Sequence, residues 1–313
     1  MILAENLFEI SEASVELFGF VGGFLAAGAV GFRYTSLRSR LTKSATTDEQ
    51  SMYGAAAART AFIGLIGTLI GLLMTLNSLP RQAARQHVGV PQLLAHNGQA
   101  MVQVALAIAA VVGFGLAAAR IGAGWPLAAI GVVGGALRAA FFGQWSRLIN
   151  PIHRLSAGLW IGTLLVLVVA GLASVARSSL TPEQRGRAAA DMVNAFSRLA
   201  LWSFPFLVFF GINTAWRHLG TLDQLWKTPY GYTLIAKLVA VALVVAFGAF
   251  NWRRQKPLLG TEQATGALRR SATGELVLAA IVLVITSILV SLPAPSESKP
   301  EPKKPAATPG SMH

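Results

Sequence analysis

The chain has 313 residues, of which 54% are hydrophobic and only 12% charged, with a mean hydropathy of +0.56. A surface of that composition cannot be dissolved in water, which excludes a pair of soluble domains and makes lipid the main solvent. The net charge of +13 would suit a nucleic-acid binder, but the basic residues sit in short segments between apolar stretches with no aromatic-interleaved groove, so nucleic acid is not an expected partner.

A helix needs about 20 mainly apolar residues to cross the hydrocarbon core, because a backbone without water must satisfy its own hydrogen bonds. Eight stretches meet that requirement: 14–32, 54–76, 100–119, 124–142, 155–175, 196–216, 230–250 and 276–292. The fold class expected is therefore all-α, a polytopic transmembrane bundle of about eight helices filling residues 1–292. The link 120–123 is so short that the third and fourth spans form a tight hairpin. The segment 293–313, rich in Pro, Lys, Glu and Ser, has too little apolar surface to fold and reads as a disordered tail.

Topology follows from the placement of charge. Segments after the odd-numbered spans hold fourteen Lys and Arg against nine on the other face, which puts both termini outside. The acidic start, with Glu5, Glu9 and Glu12, fits export of the N-terminus and a first span that is retained rather than cleaved. Glycine pairs at helix-contact spacing, Gly19 with Gly23, Gly67 with Gly71 and Gly131 with Gly135, predict close packing. Trp125, Trp145, Trp216 and Trp252 are expected at the membrane surfaces, and Pro205 predicts a bend in the sixth span.

Candidate ligands are few. The absence of cysteine excludes disulfides and thiolate metal sites, leaving His and Met for soft-metal chemistry. In this topology His87, His96, His153 and His218 share the outer face, and Met74 and Met101 end their spans there. Neutral imidazole and thioether suit copper, above all Cu(I). His153 begins a span and can face the bundle, so a metal or haem role is considered for it. His96 with Met101 is the next candidate pair, whereas His87 and His218 are expected to be solvated loop residues. Lys237 lies about two turns inside its span, where it snorkels or lines a pathway, and Arg138 is expected to snorkel. Asn213, Thr286 and Ser287 are expected to bond neighbouring helices. No zinc-protease, nucleotide-loop, nucleophile-elbow or dinucleotide motif is present, so an enzyme is not expected.

Three stretches together resemble the copper resistance protein D family. One is Pro151-Ile152-His153-Arg154-Leu155 leading to Trp160-Ile161-Gly162, with Thr163 where the family commonly has a second Gly. Another is Thr228-Pro229-Tyr230-Gly231, followed by Lys237 and by Asn251-Trp252-Arg253. The last is Leu268-Arg269-Arg270-Ser271 with Glu275 and Leu292-Pro293. The resemblance covers about 153–293 and implies an eight-span bacterial inner-membrane protein that handles copper, usually inward, beside a periplasmic CopC-like partner. It carries His153, Trp160, Tyr230, Gly231, Lys237, Asn251 and Glu275 over to this chain; His153 has ligand chemistry, and Trp160, Lys237, Tyr230 and Asn251 read as pathway or structural residues. Composition and topology leave two alternatives open: a haem-binding cytochrome with His96 and His153 as axial ligands, and a scaffold without a ligand.

Overall fold

A computed structural model of the protein describes residues 2–38, 46–255 and 262–296. Among these there is no strand, and eight helices are long and apolar enough to cross a membrane. We number the helices α1 (Ile2–Phe32), α2 (Thr47–Arg85), α3 (Val90–His96), α4 (Gly98–Ala118), α5 (Gly124–Leu137), α6 (the composite span Trp145–Ala176), α7 (Pro182–Leu219), α8 (Gln224–Lys227), α9 (Pro229–Gln255) and α10 (Glu262–Ser291). All but the short α3 and α8 are spans, which makes the chain an integral multi-pass membrane protein. Large apolar side chains such as Leu201, Trp202, Phe209 and Ile212 cover the outside of α7 and are more than half exposed, as a lipid-facing surface requires.

Local chemistry starts the long helices where their backbone N–H groups would otherwise be orphaned. The Thr46 hydroxyl accepts from the Glu49 N–H at 3.3 Å, and Asn97 accepts from the N–H groups of Gln99 and Ala100 at 3.1 Å each. Thr181 and Gln184 form a reciprocal capping box, with Pro182 at the first helical position. These caps lie well outside the apolar windows, so α2 and α7 run to 39 and 38 residues. At 1.5 Å per residue each is about 57 Å long, roughly twice the hydrocarbon thickness.

Helices α1 and α6 form the centre of the bundle. Their apolar windows are 56% and 61% buried, against at most 28% for any other span. The centre depends on close backbone approach: a Cβ on Gly162 would overlap the Phe24 carbonyl, and one on Gly28 would overlap the Gly162 backbone. Helix α6 also carries two π-helical stretches, Gly158–Gly162 and Leu167–Leu172, which widen the helix where α1 crosses it. Thr163, fully buried, fills the next position with its hydroxyl 3.5 Å from the Gly28 carbonyl oxygen.

Of the six glycines in the expected pairs, two meet a neighbouring backbone. Gly67 meets the backbone of α1 and Gly131 that of Ala110, but a Cβ on Gly19, Gly23, Gly71 or Gly135 would touch nothing within 4 Å. Spacing alone does not say which of two small residues faces a neighbour. Trp125 is likewise not a surface anchor. It is buried beneath Arg33, whose guanidinium carbon is 5.1 Å from the ring centroid, and meets Phe114 edge to face at 6.0 Å. Trp145 and Trp216 are exposed, and the Trp252 side chain lies outside the described residues.

Candidate functional site

At the end of the bundle where α6 begins, His153 turns inward onto α7. Its Nδ1 lies 2.9 Å from the Leu207 carbonyl oxygen. A carbonyl can only accept, so Nδ1 carries the proton and the neutral ring keeps its lone pair on Nε2. The ring has room because residue 211, one turn beyond Leu207, is glycine: a Cβ there would sit 2.9 Å from His153 Cε1 and 3.1 Å from Nδ1. Gly211 escaped the sequence reading. The signal for it was a glycine inside a span rich in bulky residues, one helical turn after a carbonyl that a histidine could reach.

The surroundings of His153 are basic. Lys237 of α9 and the neighbouring Arg154 both act on it electrostatically, and Arg154 acts in turn on Lys237. Arg154 reaches Glu16 of α1 at 3.2 Å and stacks over Phe20 at 4.3 Å. Lys237 is half-buried and forms neither an ion pair nor a hydrogen bond among the described residues. Residues from α1, α6 and α7 thus meet in one place, Glu16, His153, Arg154, Leu207 and Gly211, and the charge of Lys237 on α9 acts on His153 electrostatically.

The other candidates are placed differently. His96 is exposed at the end of α3, with its Nδ1 3.0 Å from the Gln92 carbonyl oxygen of its own helix. Met101 is 55% exposed, and neither residue hydrogen-bonds His153. Among the described residues no three His, Asp or Glu side chains gather into a metal-holding group. His218 is not a solvated loop residue: it lies in α7, half-buried, stacked on Tyr230 with centroids 6.0 Å apart and planes 13° apart. Trp160 packs edge to face on Phe204 at 5.5 Å, against the apolar core.

The Thr-Pro-Tyr-Gly stretch has a structural reading. Thr228 donates to the Gln224 carbonyl at 2.7 Å and accepts from the Gly231 N–H at 3.1 Å, starting α9. A Cβ on Gly231 would overlap the carbonyls of Gln224 and Leu225, so the turn needs glycine. Buried Tyr230 joins Leu219, Leu234 and Leu289. The Asn251 side chain lies outside the described residues. Asn213, Thr286 and Ser287 bond carbonyls of their own helices rather than their neighbours, since a short polar side chain reaches the preceding turn more readily than another helix. The turn 293–296 seats against α7, with the Ser296 N–H donating to the His218 carbonyl at 3.0 Å; 297–313 lie outside the described residues.

As a site, this is one imidazole with a fixed tautomer, an available Nε2 and cationic neighbours. It offers a single ligand to a passing soft cation and no enclosed coordination sphere.

Comparison with known proteins adds independent support. The family described as copper resistance protein D matches residues 190–289, a stretch that includes Tyr230, Gly231, Lys237 and Glu275 but stops short of His153 and Trp160. The chain is also 26% identical over 155 residues to the copper transport protein CutJ of Bacillus subtilis, covering 50% of this chain and 27% of that protein. The chain therefore spans about a quarter of the curated relative it matches. No solved structure matches significantly. Through its C-terminal helices, residues 190–289, the chain is thus similar to the copper resistance protein D family, and the partial match to a copper transport protein points the same way.

Proposed function

We propose that this protein handles copper in a bacterial inner membrane and carries it inward from the end of the bundle where His153 lies. The observation that carries the reading is the hydrogen bond from His153 Nδ1 to the Leu207 carbonyl. A metal-binding histidine commonly donates its other ring nitrogen to a carbonyl in this way, which fixes the tautomer and raises ligand basicity. Copper is the cargo here, so weak binding is an advantage: an ion must leave a conduction site as readily as it enters. The positive charges of Lys237 and Arg154, which act on His153, work against long residence of a cation, since like charges repel more strongly where the dielectric is low. His96 and Met101, exposed at the same end, supply imidazole and thioether for first capture. A CopC-like copper-binding protein is the proposed donor, both termini are proposed to lie outside, and the bundle is proposed to be the working unit, with the tail after residue 292 an appendage.

The test is bound copper and a visible spectrum on purified protein, with copper accumulation in cells, for the natural chain and His153→Ala. The reading expects accumulation to fall in the variant at unchanged protein level. Unchanged accumulation refutes the role of His153, and a Soret band would replace copper by haem.

A further inference from the structure

A second polar feature lies at the same end of the bundle and plays no part in the copper reading. It is a cavity of about 360 Å³ between the end of α2, the start of α4, the end of the α5 span and the start of α6. Arg85, Arg138 and Arg147 line it from three different elements, beside the amides of Gln82, Gln99 and Gln103. Arg138, expected to snorkel, donates from its guanidinium to the Gly135 carbonyl at 3.0 Å and borders the cavity.

Three guanidinium groups around one hollow repel one another unless something negative sits among them. The segments that line it carry no such group. From Gln50 to Pro182, which spans nearly all of α2 and the whole of α3 to α6, there is no Asp or Glu, while there are eight arginines. Among the described residues none of the three cavity arginines is ion-paired, and Glu16 is engaged with Arg154. Among the described residues no carboxylate supplies the missing charge, which leaves the hollow open to an anion from outside the chain.

The lining also has donors suited to oxygen. Arginine's planar fork matches phosphate bidentately. The Asn97 carbonyl is used in capping α4, which leaves its Nδ2 group as a donor at the cavity wall. The start of α4, 21 residues long, adds the positive end of its dipole. A concave wall of one sign concentrates the field on whatever enters.

We propose that this cavity binds a phosphate-type oxyanion, delivered either as free phosphate or as the headgroup of an anionic phospholipid.

The test uses the full chain in two settings. Inorganic phosphate is titrated calorimetrically into delipidated protein in detergent, and phosphatidylglycerol retention is read by native mass spectrometry from nanodiscs. The double variant Arg85→Gln with Arg147→Gln should weaken or abolish whichever binding occurs, by tenfold or more. Arg120→Gln, which removes the same kind of charge at the opposite end of the bundle, should not. Gln103→Glu, which introduces a carboxylate at the wall, should compete with the anion and guards against a double variant that fails to fold. Phosphate binding lost with lipid retention unchanged identifies the free anion; lipid retention lost without phosphate binding identifies the headgroup. Natural protein that binds neither, or binding equally affected by Arg120→Gln, overturns the proposal.

Discussion

Gly28 of α1 and Gly162 of α6 press backbone against backbone, and neither position has room for a Cβ. In lipid there is no hydrophobic drive between helices, so this contact and the dispersion around it hold the two central spans together. Gly162→Ala should lower stability by about 1–3 kcal/mol through overpacking, whereas Gly19→Ala, with open space at its Cβ, should change little. Thermal unfolding in detergent measures both, and equal effects would contradict the crossing described.

The copper reading makes a sharper demand at Gly211. Gly211→Ala should push the His153 ring off the Leu207 carbonyl without removing the imidazole. Loss of an orienting partner typically costs about 10–100-fold in metal affinity. Copper binding or uptake should therefore fall in Gly211→Ala even though His153 is intact; wild-type behaviour would mean that ring orientation is irrelevant.

Outside the membrane spans, Asp223 has a depressed pKa, first through its hydrogen bond from Lys227, 3.0 Å away, then through one from Thr221. A carboxyl whose folded pKa lies below its unfolded value stabilises the folded turn above the ordinary carboxylate range, and that contribution is lost as pH falls through the folded pKa. Amide exchange in Gln224–Lys227 should accelerate on acidification after correction for intrinsic rates, and this pH dependence should vanish in Asp223→Asn. Because both side chains of the pair are more than half exposed, the effect should be small and sensitive to salt.

Thr228 starts α9 through its hydroxyl. Thr228→Ala should cost about 1 kcal/mol, the usual value of an N-cap, and Thr228→Ser should recover most of it. Chemical denaturation monitored by circular dichroism distinguishes the two; identical losses would show that the hydroxyl is not the cause.

Eight spans were legible without coordinates because the requirement for them is one-dimensional: a run of apolar residues long enough to cross lipid either exists or does not. Five of the expected ranges need only a few residues of adjustment; the fifth span begins at Trp145 rather than at 155, and α2 and α7 run on past the membrane because capping chemistry, not hydropathy, ends them. His153 and Lys237 were visible as polar residues out of place. The partners of His153 were not, since Leu207 contributes a backbone carbonyl, which every residue possesses, and Gly211 contributes the absence of a side chain.

What the sequence determined by itself was the solvent, the number of crossings and the short supply of soft ligands, all properties of residue type and order. Tertiary structure decided which glycines touch, why Trp125 sits under Arg33 instead of at the surface, and which distant side chains share a space. The reason is rotational: a helix in lipid can turn any face toward its neighbours at little hydrophobic cost. Only the packing of α1 against α6, and of the other spans around that pair, sets the faces that bring Arg85, Arg138 and Arg147 to one cavity and His153 to Leu207.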